Sequence, residues 1–393
     1  MTPLGDRFRG HHAARIAGAA PTQAGIASVI ADRPAAVALR QALAASAAGV
    51  AFRIGEGGPP PAPSTLPLFE TLTSGTSGQP RRIRRSHASW IASFAVNARL
   101  FGIGPGVRVA VLGRLLHSLS LYGALEALHL GADLHLLDGL RPDRQRAALA
   151  GAAVQILYAT PAQLRLLLEA GGPALPDLRF VLVGGSKLDA TLRAGLQNAC
   201  PNADLREFYG AAEASFITLA GADTPAGSVG AAYPGVQIEV RDCLAGIGQI
   251  WVKSPYLAEG YATIEPTGAQ WQDGWLSVGE MGEIRAGYLF LAGRAGRMVT
   301  IADQNVFPAE IEDFMLTLQG VTRVAVLARK DPLRGHMLAA VAMGDPTQTA
   351  TIFAALRARY GPLKAPRTLH WRTDWPQLAA GKTDLVALER AYP

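Results

Sequence analysis

Between Leu68 and Tyr209 the chain alternates short apolar runs with longer stretches of helical spacing, and this alternation narrows the folds open to it. The runs are VRVAVL (107–112), DLHLL (133–137), VQILY (154–158) and FVLVGG (180–185), with stretches such as LSLYGALEALHLG and PAQLRLLLEAG between them. Strand–helix–strand alternation implies a mostly parallel, helix-covered sheet. Residues 1–54 are Ala-rich and read as a helix followed by a short strand ending near Ile54; the breaker run GEGGPPPAPSTLP (55–67) is a linker or long turn. Around 229–293 Gly and Pro become frequent, and QIEVRD, GQIWVKS and YLFLAGR read as antiparallel strands of a small barrel or meander. After Gly293 comes an α+β unit of roughly 100 residues, a usual domain size. It holds a helix from Pro308, the runs VTRVAVLAR and MLAAVAM, a helix near 350–360, and LHWRT. Pro suits the first turn of that helix. The expected fold class is thus α/β: a large N-terminal domain of helix-covered sheets with a small barrel-like β region, then a small α+β C-terminal domain.

The 393 residues are 49% hydrophobic, enough for a real core, and only 17% charged, which excludes a disordered chain. A net charge of +6 favours anionic partners. The dense basic run, Arg81, Arg82, Arg84 and Arg85, directly follows a Gly-rich loop, which suits a phosphate ligand better than a nucleic-acid tail. No basic–aromatic platform supports nucleic-acid binding. The two cysteines, Cys200 and Cys243, form no CxxC, so neither a disulfide framework nor a zinc site is expected. No apolar leader and no uninterrupted apolar run of about 18 residues is present, so a cytoplasmic protein without a membrane span is expected.

The sharpest local feature is LFETLTSGTSGQPRR (68–82). Its glycines let the backbone turn tightly and bring N–H groups to an anion, its hydroxyls add donors, and its cations compensate phosphate charge. GxxxxGK[ST] is absent, so this is not a Walker loop. The following SHASWIASFAVNARLF has helical spacing, with Ser86 as its N-cap. Taken alone, the loop would equally be a flexible Ser/Gly turn.

TSGTSGQPRR resembles the phosphate loop of the adenylate-forming superfamily, which comprises acyl-CoA synthetases, peptide-synthetase adenylation domains and luciferases. Its pattern is [ST]SGT[ST]GxPKG, so Arg81 stands for the usual Lys and Arg82 for the following Gly. Further segments match in the family's order. HSLSLYGALEALHLGA (117–132) resembles the acyl-pocket segment, with His117 at the mouth; by itself His117 would be an ordinary core histidine. No carboxylate precedes Glu126 there, which argues against an amino acid substrate. EFYGAAEAS (207–215) resembles YGxTE: Tyr209, Gly210 and Ala211 would line the adenine site and Glu213 would ligate magnesium, with Ala212 replacing the family's Thr. VLVGGSKL before it, with Gly184, resembles the glycine-lined wall of the acyl and adenine pocket. DGWLSVGEMG (273–282) resembles the segment ending in TGD, with Glu280 as the ribose carboxylate. GRAGRMVTIADQNVFPAEIEDFM (293–315) resembles the hinge and first turn of a mobile C-terminal domain. There Arg294 would contact ribose or phosphate, Gly296 would be the hinge, and Ala302–Asp303 stand for the Gly-Gly of the pantetheine loop. Finally WPQLAAGKTDL (375–385) resembles PxxxxGK, with Lys382 as the mobile catalytic lysine.

The resemblance spans roughly 68–385 and implies two domains, an AMP- and acid-binding domain over 1–294 and a mobile C-terminal domain over 297–393. It implies ATP, Mg2+ and coenzyme A, and formation of an acyl-AMP and then a thioester. Thr73, Ser74, Gly75, Thr76, Ser77, Gly78 and Arg81 would hold the pyrophosphate side; Lys382, Glu213, Thr76 and His117 would be catalytic. Aryl acids of benzoate or cinnamate type fit the small and apolar pocket residues best, then medium-chain acids. A carrier protein as acceptor, or a non-catalytic homologue that binds nucleotide or acyl ligand, are the alternatives. Relatives carry a longer segment before the loop, so a surface is expected that a second subunit of a homodimer could cover.

Overall fold

The four apolar runs become the strands Arg108–Val111, Asp133–Leu136, Ile156–Ala159 and Phe180–Val183, hydrogen-bonded in parallel in the computed structural model. This model describes residues 5–19, 25–55, 58–72, 81–244, 246–262, 269–302, 304–332, 334–378 and 383–392. Side chains alternate across a strand, so an apolar run can feed two cores at once. Val109, Val111, Ile156, Tyr158 and Leu182 enter one core with Trp90, Phe94, Leu121 and Leu125. Ala110, Leu157, Ala159, Val181 and Val183 enter a second core with Leu164, Leu167, Leu192 and Leu196.

The covering helices start and stop where local chemistry dictates. In the helix Pro161–Glu169, Thr160 and Gln163 form a reciprocal capping box, at 2.9 and 3.3 Å, with Pro in the first turn. The helix His87–Phe101 does follow Ser86, but the Ser86 side chain caps nothing. Its carbonyl instead accepts from Ser89 Oγ at 2.7 Å, because Ser86 is the last ladder residue of the strand Arg82–Ser86.

The strand Asp204–Ala211 pairs in parallel with Phe180–Val183 and antiparallel with Ser215–Ala220. Through Ala231–Ala232 the ladder runs on into an antiparallel meander of Tyr288–Arg294, Glu280–Arg285 and Ile247–Lys253. The Gly-rich region is therefore a meander continuous with the main sheet, which has 14 strands among the described residues. A five-stranded sheet holds Leu68–Leu72 and Arg82–Ser86 as a hairpin, with Gly260–Tyr261 on its edge. Leu72 of this sheet forms an isolated bridge with His117, the residue before the helix Ser118–Leu130.

The first segment is fastened into this body. The Phe8 ring stacks on His87 with centroids 4.2 Å apart and meets Phe69 edge-on at 5.2 Å. Phe8 N–H donates to His87 Nδ1 at 3.3 Å, Arg9 N–H to His129 Nδ1 at 3.3 Å, and His11 N–H to Leu128 O at 2.9 Å.

The smaller C-terminal region is a three-stranded sheet, Val321–Asp331, Gly335–Gly344 and Thr368–Trp371. The helices Pro308–Met315 and Thr349–Lys364 share one of its cores with Val326, Leu338 and Ala340. Ala325, Leu327 and Val341 point the other way, to Leu388. The hairpin before it turns at Ala302, which takes a left-handed φ of 44°. A side chain is disfavoured in that conformation, which is the one a glycine adopts freely. Among the described residues no helix is long and apolar enough to cross a membrane.

Candidate active site

Parallel sheets place ligands at the carboxyl ends of their strands, where the strand order reverses. Here the strand ending at Ala159 leads to Thr160, that ending at Val183 to Gly184, and that ending at Ala211 to Glu213, and all three line one large open cleft. Arg81 lines it from beside the hairpin, His117 from the start of the helix Ser118–Leu130, and Glu280 and Arg294 from the meander. Thus Arg81, His117, Gly184, Tyr209, Gly210, Ala211, Glu213, Glu280 and Arg294 converge. Thr73, Ser74, Gly75, Thr76, Ser77, Gly78 and Lys382 lie outside the described residues. Their flanks are fixed: Leu72 pairs with Arg82, and Gln377 bridges Thr383, both of these lining the cleft.

The turn carrying Glu213 is tightly built. A Cβ on Gly210 would lie 2.0 Å from Ser215 O, so only glycine fits this irregular hairpin. Ser215 itself takes a positive φ of 58°. Its hydroxyl accepts from Arg85 Nη2 at 2.8 Å and Trp90 Nε1 at 3.1 Å. Arg85 also donates to Ala212 O at 2.6 Å and to Tyr256 O. Its burial pushes the guanidinium down to about 10, with Glu213 the strongest opposing influence. Glu213 accepts a 2.6 Å hydrogen bond from Tyr261, which the edge strand Gly260–Tyr261 brings across.

The dense arginine run therefore divides. Of the run, Arg81 alone lines the cleft. Arg82 donates to Pro59 O at 2.7 Å and pairs with Glu70 at 3.5 Å, and Arg85 is a buried pin for the Glu213 turn. Arg85 lies on the buried face of the strand Arg82–Ser86 with Ile83, and Arg81 precedes that strand. Tyr261 was missed altogether: nothing in an isolated Gly-Tyr pair marks a partner 48 residues earlier.

Glu280 and Arg294 are cross-strand partners, with Arg294 Nε donating to Glu280 Oε1 at 2.8 Å. Beside them the Tyr209 hydroxyl is buried with no hydrogen-bond partner among the described residues. Burial and then Glu280 hold this phenol well above its usual range. A buried phenol left unpaired costs stability, so this one fits a site completed by a ligand. Gly184 is held to glycine by the Phe208 ring, 2.3 Å from where a Cβ would be. His117 sits at the N-terminus of the helix Ser118–Leu130, half-buried. Desolvation, then Arg114, keeps its imidazole below the ordinary range. No group of three or more His, Cys, Asp or Glu side chains gathers among the described residues. A cation at Glu213 would have to take its other ligands from phosphate oxygens and water, which fits magnesium.

The C-terminal region closes the far wall. Lys187 pairs with Asp313 at 2.8 Å, and Arg297 makes two hydrogen bonds to Glu312 at 2.7 and 3.1 Å. Gly296 lies in a short 3-10 turn, Ala295–Arg297, with open space where a Cβ would be.

The family model for AMP-binding enzymes matches residues 10–262, and that for the AMP-binding enzyme C-terminal domain matches 310–382. The uncharacterized acyl-CoA ligase YhfT of Bacillus subtilis is 30% identical over 327 residues, covering 80% of this chain and 67% of that protein. A 3-hydroxybenzoate–CoA ligase of Aromatoleum is 30% identical over 348 residues, covering 82% of this chain and 66% of that one. The structure of ATP-bound MatB from Rhodopseudomonas palustris superposes with a TM-score of 0.74 at 23% identity, over 93% of this chain and 79% of that one, a likeness of fold. The chain belongs to the AMP-binding enzyme family, the adenylate-forming superfamily that includes the acyl-CoA synthetases.

Proposed function

We propose that this chain is an ATP-dependent carboxylic acid ligase that forms an acyl-AMP and passes the acyl group to coenzyme A. The observation that carries this reading is the convergence of Arg81, His117, Tyr209, Glu213, Glu280 and Arg294, from distant segments, on one cleft. A carboxylate is a poor acyl donor because its oxygen leaves badly. Its attack on the α-phosphate of ATP forms an acyl–O–P bond and expels pyrophosphate, so that AMP becomes the leaving group. The protein's task is to align the two reactants and offset the negative charge that develops. Arg81 faces the β and γ phosphates, and the loop 73–78 completes their cradle. Glu213, held in place by Tyr261, would hold magnesium, which would neutralise phosphate charge. Glu280 and Arg294 receive the ribose, with Tyr209 against the adenine. Lys382 bridges the attacking carboxylate and the α-phosphate. The C-terminal region, 297–393, then turns about Gly296 to admit the thiol.

Aryl acids are the favoured substrates. Aromatic side chains at Trp90, Tyr122 and Phe216 line the cleft beside His117 and Gly184, and a similar protein acts on 3-hydroxybenzoate. Pyrophosphate release from ATP and magnesium, across benzoates, cinnamates and fatty acids with coenzyme A added or omitted, tests this. Acid-dependent pyrophosphate with an acyl-CoA product is expected. An acyl-adenylate without acyl-CoA would move the acceptor to a carrier protein. ATP binding without turnover on any acid would leave a nucleotide-binding homologue.

A further inference from the structure

The helix Ser118–Leu130 runs from the cleft into the core, and its middle is buried on all sides, from Ser120 to His129. Its first turn carries Ser118 and Leu119 on the cleft wall. The Tyr122 ring is the last side chain of this helix to line the cleft, and one turn deeper Glu126 is wholly buried. From His117 to Tyr122 the helix rises about 7.5 Å along its axis.

Tyr122 is held from every side. Its ring meets Trp90, Phe94 and Phe216 edge-on, each with centroids 5.1 Å away. Its hydroxyl turns inward to Ser93 Oγ at 2.7 Å, Asn97 Nδ2 at 3.2 Å and Glu126 Oε1 at 3.3 Å, none of which lines the cleft. Behind it Glu126 accepts from Asn97 at 2.9 Å and from the Tyr158 hydroxyl, and Asn97 accepts from Tyr233 at 2.6 Å. A buried carboxyl with this many partners is expensive to expose to hydrocarbon, since each lost hydrogen bond leaves a desolvated polar group. An alkyl tail cannot thread past Tyr122 without opening the network.

Building on the ligase reading, we propose that Tyr122 is the closed floor of the acid pocket, locked from behind by Glu126, so that the site takes single-ring and short acids and rejects long-chain ones. Glu126 is a positioning residue: it touches no substrate and acts through the Tyr122 ring. Burial pushes its carboxyl up to about 8.

The test compares kcat/KM for pyrophosphate release with benzoate, cinnamate, hexanoate, dodecanoate and hexadecanoate, and equilibrium binding of the same acids by calorimetry, on the full chain. The native enzyme is expected to favour the best ring or short acid over dodecanoate by at least about 100-fold, the scale of a pocket that must exclude many methylenes. Glu126→Gln, which keeps the shape and one acceptor oxygen and offers its NH2 to the Tyr158 hydroxyl, is expected to retain that ratio. Glu126→Ala is expected to lower it at least about tenfold, mainly by raising KM for ring acids and admitting dodecanoate, with kcat changed less. Should Glu126→Ala not fold, Tyr122→Phe keeps the ring and removes the lock, and a rise in KM for ring acids is expected there too. Dodecanoate used as well as benzoate by the native enzyme would overturn the floor while leaving the ligase reading intact. So would a Glu126→Ala protein that folds and keeps native selectivity, or a Tyr122→Phe protein with native KM. Selective binding of ring acids without pyrophosphate release would keep the floor and overturn the ligase reading instead.

Discussion

At the scale of the residue, the decisive groups are few and each is fixed by a neighbour with no sequence signature of its own. Lys382 carries the sharpest prediction. Lys382→Ala is expected to slow acyl-adenylate formation at least about 100-fold, as for loss of a preorganised charge donor. ATP binding should survive, because Arg81, Glu213 and Glu280 remain. Single-turnover pyrophosphate release together with nucleotide titration separates the two effects. A near-native adenylation rate would remove the lysine from the chemistry. The site was legible wherever a motif fixed both residue type and backbone: Gly210 and Gly184 can only be glycine for reasons of close approach. It was illegible where function depends on where a strand begins. Arg81 and Arg85 sit four residues apart in one basic run, yet Arg81 precedes the strand Arg82–Ser86 and lines the cleft, whereas Arg85 lies within it, buried against Ala212, Ser215 and Tyr256. Glu126 read as a distant carboxylate on a helix, and only the packing of Asn97, Tyr122 and Tyr158 around it gives it a place.

At the scale of the element, hydrophobic periodicity located the parallel strands and their helices to within a residue or two. Strands covered on both faces must be apolar throughout, and few other structures share that pattern. What it did not reveal was the continuity of the meander with the main sheet. That rests on Ala231–Ala232, a two-residue link between Ser215–Ala220 and Tyr288–Arg294 too short to leave a periodic trace. The turn Ala295–Arg297 is the element on which motion is expected to depend. No neighbour crowds Gly296, so the conformation described does not itself require a glycine there. A hinge does, since it must visit a second conformation. Gly296→Pro is therefore expected to slow thioester formation more than adenylation, measured as separate half-reactions. Equal slowing of both would place the hinge elsewhere.

At the scale of the whole molecule, buried titratable groups bound the pH range of stability from both sides. Burial lowers His87 and His129 from 6.5 to about 4. Both are neutral in the fold, so the unfolded chain binds the extra protons, and stability is lost as pH falls from about 6.5 toward 4. Glu126 is raised from 4.5 to about 8, so here the fold holds the extra proton, and stability is lost as pH rises across that window. Urea unfolding across pH is expected to show His87→Gln flattening the acid limb and Glu126→Gln the alkaline one. Variants that leave both limbs unchanged would show that these groups titrate alike in the folded and unfolded chain.

The fastening of residues 8–17 bears on the order of folding. Phe8 binds His87, 79 positions later, Arg9 binds His129, 120 positions later, and Ala17 N–H reaches Leu134 O at 2.8 Å. Contacts this far apart in sequence close only after much chain entropy has been lost. The segment therefore relies on the folding of the helices and strands up to Leu134 and does not nucleate them.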